Sequence, residues 1–287
     1  IYLGAGSSNT DTITISGNTF TSNNGHSSGL YGAIAITSEV DGINTQNITI
    51  TGNTFTGSQV AAAITIFDSA NASAPNVVGN TISITNNTFG ADNFGNINVG
   101  LGVSGTINAE NNYWGTAVLA TIDASVVGNA DFGPYWVDAA KTILNSTVPS
   151  AVYVDDNYSD GNSGSYYFGY NAFNTIQGGV NAVATDGTVN VGAGTYSEPI
   201  QQLATCGNEP ASLCIDKPLT LRGDPGDTTA GPGLNAPILD GTGLDFGSAI
   251  AFLRDGYENY SNLTISNVTI EGFEIRNYTS NNGGTGS

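Results

Sequence analysis

The loop at residues 155–164, DDNYSDGNSG, contains the densest group of side chains that could bind a metal ion. Asp155, Asn157 and Asp160 would supply the carboxylate and amide oxygens that Ca²⁺ prefers. The loop departs from the EF-hand pattern, which has glycine where Asp160 stands. A network of turns held by Asp and Asn side chains explains the same residues equally well. Both interpretations stay open, and the sequence indicates no cofactor other than Ca²⁺.

Paired carboxylates are the second group that could do chemistry, because two acids flanking a glycosidic bond can hydrolyse it. Glu39 with Asp41, and Asp155 with Asp156, are such pairs, but both fall in expected loops where nothing else marks a site. Nucleophile elbows, Cys/His metal spacings and phosphate-binding loops are absent from the sequence. We therefore assign no catalytic residue and expect that the protein is not an enzyme.

The two cysteines, Cys206 and Cys214, enclose the short segment GNEPASL. A disulfide between them would pin a local loop and would not hold the whole fold, since short closed loops gain little entropy. Two buried thiols in a reducing compartment are the alternative. We favour the disulfide because other features of the chain point to a location outside the cell.

The elements that would position these residues are dominated by an internal repeat. The stretches ITISGNTF, ITITGNTF and ISITNNTF begin at Ile13, Ile48 and Ile82, spaced 35 and 34 residues apart, and a weaker copy, INAENNYW, begins at Ile107. A period in this range indicates stacked repeats. The copies share one column of asparagines and one of aromatic residues: Asn18, Asn53, Asn87 and Asn112, and Phe20, Phe55, Phe89 and Trp114.

Each copy alternates β-branched apolar residues with small polar ones, which predicts a strand with one buried face. Further strands are predicted at 32–37, 61–67 and 97–103. Stacked coils would place equivalent residues about 4.8 Å apart, so the asparagines could form a hydrogen-bonded ladder and the aromatic rings a stack. The alternative is that GNTF is only a favourable turn sequence.

Several longer motifs resemble the right-handed parallel β-helix superfamily, which includes pectate lyases and many surface proteins. NNYWG (111–115) and DFGPYW (131–136) resemble the way such domains finish. Four other segments resemble the way such domains begin: VYVDDNYSDGNSG (152–164), FNTIQGGVNAV (173–183), GTVNVGAGTYSEPI (187–200) and LTLRG (219–223). The resemblance implies the fold but does not decide function, because this scaffold carries enzymes, adhesins and structural proteins.

The predicted fold is therefore all-β, a right-handed parallel β-helix in two segments. Residues 1–138 resemble the C-terminal half of a β-helix with its terminal cap. Residues 139–151 are expected to form a linker, and residues 152–287 resemble the N-terminal half of a β-helix. A helix near 171–184 is expected from the apolar spacing of Phe173, Ile176, Val180 and Val183, and would cap the solenoid.

The resemblance also raises the possibility of a polysaccharide lyase or hydrolase. Lyases of this type need a basic proton abstractor and Ca²⁺ ligands, but the five basic residues form no cluster in the sequence: Lys141, Lys217, Arg222, Arg254 and Arg276. NTD at 9–11 and GHS at 25–27 match fragments of pectin-hydrolase motifs, yet neither the intervening Asp pair nor the later Arg-x-Lys follows. Asp11 is expected to start a turn and His26 to lie in a loop.

Composition excludes several classes of partner. The net charge of −19, from 24 acidic and five basic residues, repels nucleic acid and anionic lipid. No apolar run is long enough to span a membrane. Because the sequence lacks an initiating Met, we expect a processed chain or a segment of a longer one. Nine glycosylation sequons occur, close to the number expected by chance: Asn47, Asn71, Asn86, Asn145, Asn157, Asn259, Asn262, Asn267 and Asn277.

These features together predict an extracellular or cell-surface structural protein that assembles with its own copies into a filament, sheath or surface array. Residues 263–287 of one unit would stack against residues 1–20 of the next, as separate subunits or as periods of a tandem chain. The step from Ile270 across this seam to Ile13 is 30 residues, close to the internal repeat. The alternatives are a polysaccharide-binding or polysaccharide-cleaving enzyme and a glycan-binding adhesin that uses the tyrosines of YYFGY (166–170).

Overall fold

The computed structural model describes most of the chain. The chain divides into two units, Ile1–Thr147 and Val148–Ser287. The described residues are 1–5, 11–22, 32–38, 46–57, 61–68, 77–91, 93, 95–202, 206, 210–223, 235–244, 247–252, 265 and 267–279. Each unit is a stack of parallel coils, so the predicted β-solenoid is confirmed. Neither α-helix in the described part of the chain has the length and apolar character needed to cross a membrane.

The first unit has three principal sheets. Sheet A is β1 (Tyr2–Ala5), β4 (Ile34–Ser38), β7 (Ile64–Asp68), β11 (Ile97–Val99) and β14 (Val126–Val127). Sheet B is β2 (Thr12–Ser16), β5 (Asn47–Thr51), β9 (Ile82–Thr85), β13 (Ile107–Asn108) and β15 (Ala130–Asp131). Sheet C is β3 (Thr19–Thr21), β6 (Thr54–Thr56) and β10 (Thr88–Phe89). A short pair, β8 (Val77–Val78) and β12 (Val103–Ser104), and a 3-10 turn (Gly79–Thr81) complete the coils.

The repeat sets the pairing register of sheet B. Ile13 lies opposite Ile48, and Ile48 lies opposite Ile82, so the apolar residues of successive copies stack directly. Because side chains alternate between the two faces of a strand, this register puts every isoleucine of the motif inside the coil and every Thr or Ser outside.

The second unit has the same three-sheet plan. Sheet A′ is β20 (Gln201–Gln202), β21 (Pro210–Ile215) and β24 (Ser248–Phe252), with β20 antiparallel to β21. Sheet B′ is β17 (Ala172–Phe173), β16 (Ala151–Val154), β18 (Gly187–Val191), β22 (Leu219–Gly223) and β25 (Val268–Glu271). Sheet C′ is β19 (Thr195–Tyr196), β23 (Ile238–Asp240) and β26 (Glu274–Arg276).

The capping helix is shorter than the sequence predicts. It is α2 (Ile176–Ala182), because Ala172 and Phe173 pair with β16 as a strand and Thr175 caps the helix by accepting the Gly178 N–H. The buried carboxylate of Glu198 also accepts the Ile176 N–H. Burial raises the pKa of Glu198, while its backbone hydrogen bonds oppose that shift.

A second helix, α1 (Leu119–Ser125), lies in the polar, helix-compatible stretch between the NNYWG and DFGPYW motifs. Only one of its residues, Ile122, is buried, which explains why its apolar periodicity gave no signal. The segment expected to be a linker, 139–151, divides between the two units. Its first part is held by Asp138, whose carboxylate accepts the N–H groups of Thr142 and Ile143.

Candidate assembly interface

The asparagines of the repeat column form a ladder inside the first unit. The side-chain amide nitrogen of each donates to the Oδ1 atom of the next at 3.1 Å, from Asn18 to Asn53, Asn87 and Asn112 in turn. The backbone N–H of each donor residue reaches the same oxygen at 2.8–2.9 Å. Asn53, Asn87 and Asn112 are fully buried, so these bonds satisfy groups that water does not reach.

Three of the four ladder residues also bond back to the preceding coil. The Nδ2 atoms of Asn53, Asn87 and Asn112 donate to the carbonyl oxygens of Ile15, Ile50 and Ile84 at 2.8, 2.8 and 2.6 Å. Among the described residues Asn18 makes no equivalent bond. Its Nδ2 donates only to its own coil at Ser16 and to Asn53. Asn18 is thus the open end of the ladder.

The residue before each ladder asparagine turns the chain with a left-handed backbone. Gly17, Gly52, Asn86 and Asn111 have φ values of 69°, 66°, 57° and 56°. Glycine and asparagine adopt this conformation most easily, which explains why the motif reads GN or NN at this place.

The aromatic column forms a continuous stack that ends differently on its two sides. Ring centroids are 4.8, 5.1 and 4.8 Å apart from Phe20 through Phe55 and Phe89 to Trp114, with interplanar angles of 12° or less. Trp114 then meets Phe132 edge-on, which terminates the stack. At the other side Phe20 is only partly buried, whereas Phe55 and Phe89 are fully enclosed.

The acidic loop at 155–164 is held by its own side chains. Asp155 Oδ1 accepts the backbone N–H of Asn157 at 2.9 Å, and Asp156 Oδ1 accepts the Asn157 amide at 2.7 Å. In the part of the chain that the structure describes, no three His, Cys, Asp or Glu side chains are grouped to hold a metal ion. The geometry is that of a turn network, and Ca²⁺ binding by Asp155, Asn157 and Asp160 stays a prediction.

The structure describes only some of the remaining sequence candidates. Cys206 and Cys214 are joined by a disulfide. The amine of Lys141 donates to the Asn86 carbonyl and that of Lys217 to the Asn181 carbonyl. Glu39, Asp41, His26 and Arg254 lie outside the described residues.

The sequons differ in accessibility. Asn145 is half-buried, and its Oδ1 accepts the Tyr135 N–H at 2.8 Å, which occupies the side chain. Asn71, Asn259 and Asn262 lie outside the described residues. The exposed candidates are Asn47, Asn86, Asn157, Asn267 and Asn277.

Comparison with protein-family models, curated proteins and solved structures finds no match.

Each unit has an end coil whose three strands are paired with only one neighbouring coil among the described residues. In the first unit, β1, β2 and β3 lie at the edges of sheets A, B and C. In the second unit, β24, β25 and β26 lie at the edges of sheets A′, B′ and C′. Sheet edges of this kind present unpaired N–H and C=O groups that favour pairing with another chain. We refer to them as the first open end (β1–β3) and the second open end (β24–β26).

Core positions of these coils are exposed, although the same positions are buried one coil further in. Ile1 is 54% exposed and Ile34, its counterpart in the next coil, 0%. Ile275 is 47% exposed and Leu239 beside it 0%. Four of the eight large apolar side chains exposed in the described residues lie in the open ends or directly next to them: Ile1, Tyr2, Phe252 and Ile275.

The charges at the second open end are largely paired. Asp240 accepts hydrogen bonds from Thr242 and Asn277 and forms an ion pair with Arg276 at 2.9 Å. These bonds hold the pKa of Asp240 well below its usual range. Arg222 pairs with Glu271 at 2.7 Å. The described part of the second open end therefore combines apolar side chains with charged side chains that are paired.

Proposed function

We propose that the protein is an extracellular structural protein whose copies stack head to tail into a filament, sheath or surface array. One observation carries the proposal, namely that in the described residues the strands of the two open ends lie at sheet edges and carry exposed apolar side chains at positions that are buried one coil further in. A head-to-tail contact between two different surfaces need not close on itself, so it generates filaments. Joining the ends would bury the exposed apolar side chains, each worth about 1.5–3 kcal/mol when fully buried.

The outward-facing residues of the first unit support the proposal of a structural protein with a chemically inert exterior. Strands β2, β3, β5, β6, β9 and β10 carry no charged residue, although the whole chain has a net charge of −19. Their outward positions are twelve Thr or Ser and one Asn: Thr12, Thr14, Ser16, Thr19, Thr21, Asn47, Thr49, Thr51, Thr54, Thr56, Ser83, Thr85 and Thr88. A hydroxyl-covered sheet of this kind suits a wall or a fibre that must stay soluble.

Location and ancestry belong to the same proposal. The Cys206–Cys214 disulfide favours an oxidising compartment, hence a location outside the cell. We also propose membership of the right-handed β-helix superfamily, which rests on the terminal motifs of the sequence. The glycan-binding alternative has less support, because Tyr153 stacks on Tyr166 at 3.8 Å and covers a ring face that a sugar would need.

The proposal can be tested by sedimentation and negative-stain microscopy of the purified chain over a range of concentrations. We expect uniform fibres, or oligomers that lengthen with concentration. Monodisperse particles that cleave pectin or another polyuronate would contradict the proposal and favour the enzyme alternative.

A further inference from the structure

We infer that the joint between copies is one further coil step with a single register, in which Gly272 of one copy lies beside Gly17 of the next. In this register β24, β25 and β26 pair with the neighbour's β1, β2 and β3. The inference rests on the proposed function, because it describes how the two open ends meet. It differs by two residues from aligning Ile270 with Ile13, since Ile270 now lies beside Ile15.

The order of strands around the coil supports this pairing. In the first unit the chain passes from sheet A to B to C, and in the second unit from A′ to B′ to C′. Each open end therefore presents three edge strands in the same order. Every strand meets its counterpart when one end is set on the other.

The turns of the two end coils fix the register. VTIEGFEIRN, from Val268, matches ITISGNTFTS, from Ile13, in its apolar alternation and in the position of its glycine. In each of three coils two residues with positive φ stand five positions apart. The pairs are Gly17 and Ser22, Gly52 and Gly57, and Gly272 and Asn277.

Hydrogen-bond direction makes the two edges complementary. In both units a strand residue that faces the core turns its carbonyl toward the following coil, as Ile15 does to Asn53 and Val154 to the Gly192 N–H. Ile270 continues the column of Leu221, so its carbonyl faces away from β22. This oxygen is the acceptor that the Asn18 amide of the next copy lacks.

Two further contacts follow from the same register. The backbone N–H of Phe273 would donate to Asn18 Oδ1, as the N–H of Asn18 donates to Asn53 Oδ1 at 2.9 Å. Ile275 would cover the open face of Phe20, because it stands three residues after Gly272 as Phe20 stands three after Gly17. The ladder and the aromatic stack would thus both be closed by the neighbour.

A slip of two residues is the main competing register, since it keeps the apolar residues inside. It would set the left-handed turn at Gly272 beside strand residues and leave the Asn18 amide without the Ile270 carbonyl. The two registers predict different neighbours for the outward residue Thr269. In the inferred register Thr269 lies beside Thr14, and in the slipped one beside Thr12.

Disulfide trapping between two single variants tests the register. Thr269→Cys is mixed with Thr14→Cys, with Thr12→Cys, or with Thr49→Cys, which lies one coil deeper. Residues paired across parallel strands lie about 4.8 Å apart, inside the Cα range of disulfides. We expect the Thr14 pair to form linked dimers on non-reducing gels roughly tenfold or more faster than either control pair.

Failure of the register and failure of the proposed function give different results. Fibres in which the Thr12 pair links fastest would overturn the register and leave head-to-tail stacking in place. Chains that stay monomeric at every concentration would overturn both. As a check without cysteines, Asn18→Ala should weaken assembly about fivefold for each hydrogen bond lost, and Asn108→Ala should not. Equal assembly of these two variants would also overturn the register.

Discussion

The two units use the same three-sheet plan but hold it together differently. The first unit repeats one set of contacts in every coil, through the asparagine ladder and the aromatic stack. The second unit relies on contacts that each occur once, among them the Glu198 carboxylate on α2, the disulfide, and the Arg222–Glu271 ion pair. A contact that recurs in every coil can be continued by adding another identical coil. A contact that occurs once stabilises only the site where it is made.

In the described residues, each unit has one end at which side chains cover the last coil. The edge-on contact of Phe132 with Trp114 stops the aromatic stack of the first unit. In the second unit Ile176 and Val180 of α2 pack with Val152 and Val154. Under the proposed head-to-tail stacking, the covered ends are finished and the two open ends are those that would meet a neighbouring copy.

The largest loss of stability is expected when the aromatic stack of the first unit is interrupted. Phe55→Ala should destabilise the first unit by about 3–5 kcal/mol, because it removes a buried ring from the middle of the column. Both tryptophans, Trp114 and Trp136, belong to the first unit, so tryptophan fluorescence follows its unfolding alone. Phe20→Ala is the matched control and should cost less, since Phe20 is only partly buried. Equal losses would show that the stack does not act as a column.

The asparagine ladder should give the next largest effect. Asn53→Leu should destabilise the first unit by about 1–3 kcal/mol, because it leaves buried backbone and side-chain groups without partners. The exposed Asn47 offers a control in the neighbouring strand, and Asn47→Leu should change stability by less than about 0.5 kcal/mol. Urea unfolding followed by tryptophan fluorescence measures both. Similar midpoints for the two variants would remove the ladder as a source of stability.

The smallest effects are expected in pH dependence, where the two units should respond in opposite directions. The pKa of Glu198 is raised in the folded protein. The stability that protonated Glu198 contributes is therefore present at low pH and is lost as pH rises through the folded-state pKa. Glu198→Gln should therefore stabilise the second unit at neutral pH and have little effect in acid. Thermal melts followed by circular dichroism at several pH values measure this difference. A Glu198→Gln advantage that grows toward acid pH would contradict it.

Asp138 in the first unit should show the reverse sign. Burial opposes its ionisation, but hydrogen bonds from Thr142 and Ile143 lower its pKa below the ordinary value. Its contribution is present at neutral pH and is lost as pH falls through the folded-state pKa. Asp138→Asn should therefore lower the tryptophan-detected midpoint at neutral pH, by an amount that shrinks in acid. A constant difference at all pH values would rule out the carboxylate charge as the cause.

The sequence predicted the first unit better than the second for a physical reason. Identical residues at a fixed period, such as Asn53 and Asn87, must meet when coils stack, so the ladder and the ring stack followed from spacing alone. The attachment of Glu198 to α2 joins residues 22 positions apart with no repeat to reveal it. The predicted limits of the capping helix, 171–184, were wrong. Phe173 fits the apolar stripe of a helix, but in the structure it is a strand residue paired with β16.

The candidate interface was predictable only in outline. The coil-like sequence at both ends of the chain indicated a seam, but the register depends on backbone angles at Gly17 and Gly272 and on the direction of the Ile270 carbonyl. The matching glycines of VTIEG and ITISG point to the proposed register in the sequence, but the backbone angles and the carbonyl direction that support it are set by three-dimensional pairing with neighbouring coils.

The most direct test of head-to-tail assembly compares two exposed apolar residues that differ in place. Ile275 lies on the second open end and is 47% exposed, whereas Leu101 is 79% exposed in a turn that belongs to neither open end. Sedimentation velocity with electron microscopy should show that Ile275→Asp abolishes fibre growth and that Leu101→Asp assembles like the unmodified protein. Fibres of normal length from Ile275→Asp, with circular dichroism confirming that both variants fold, would contradict assembly through the open ends.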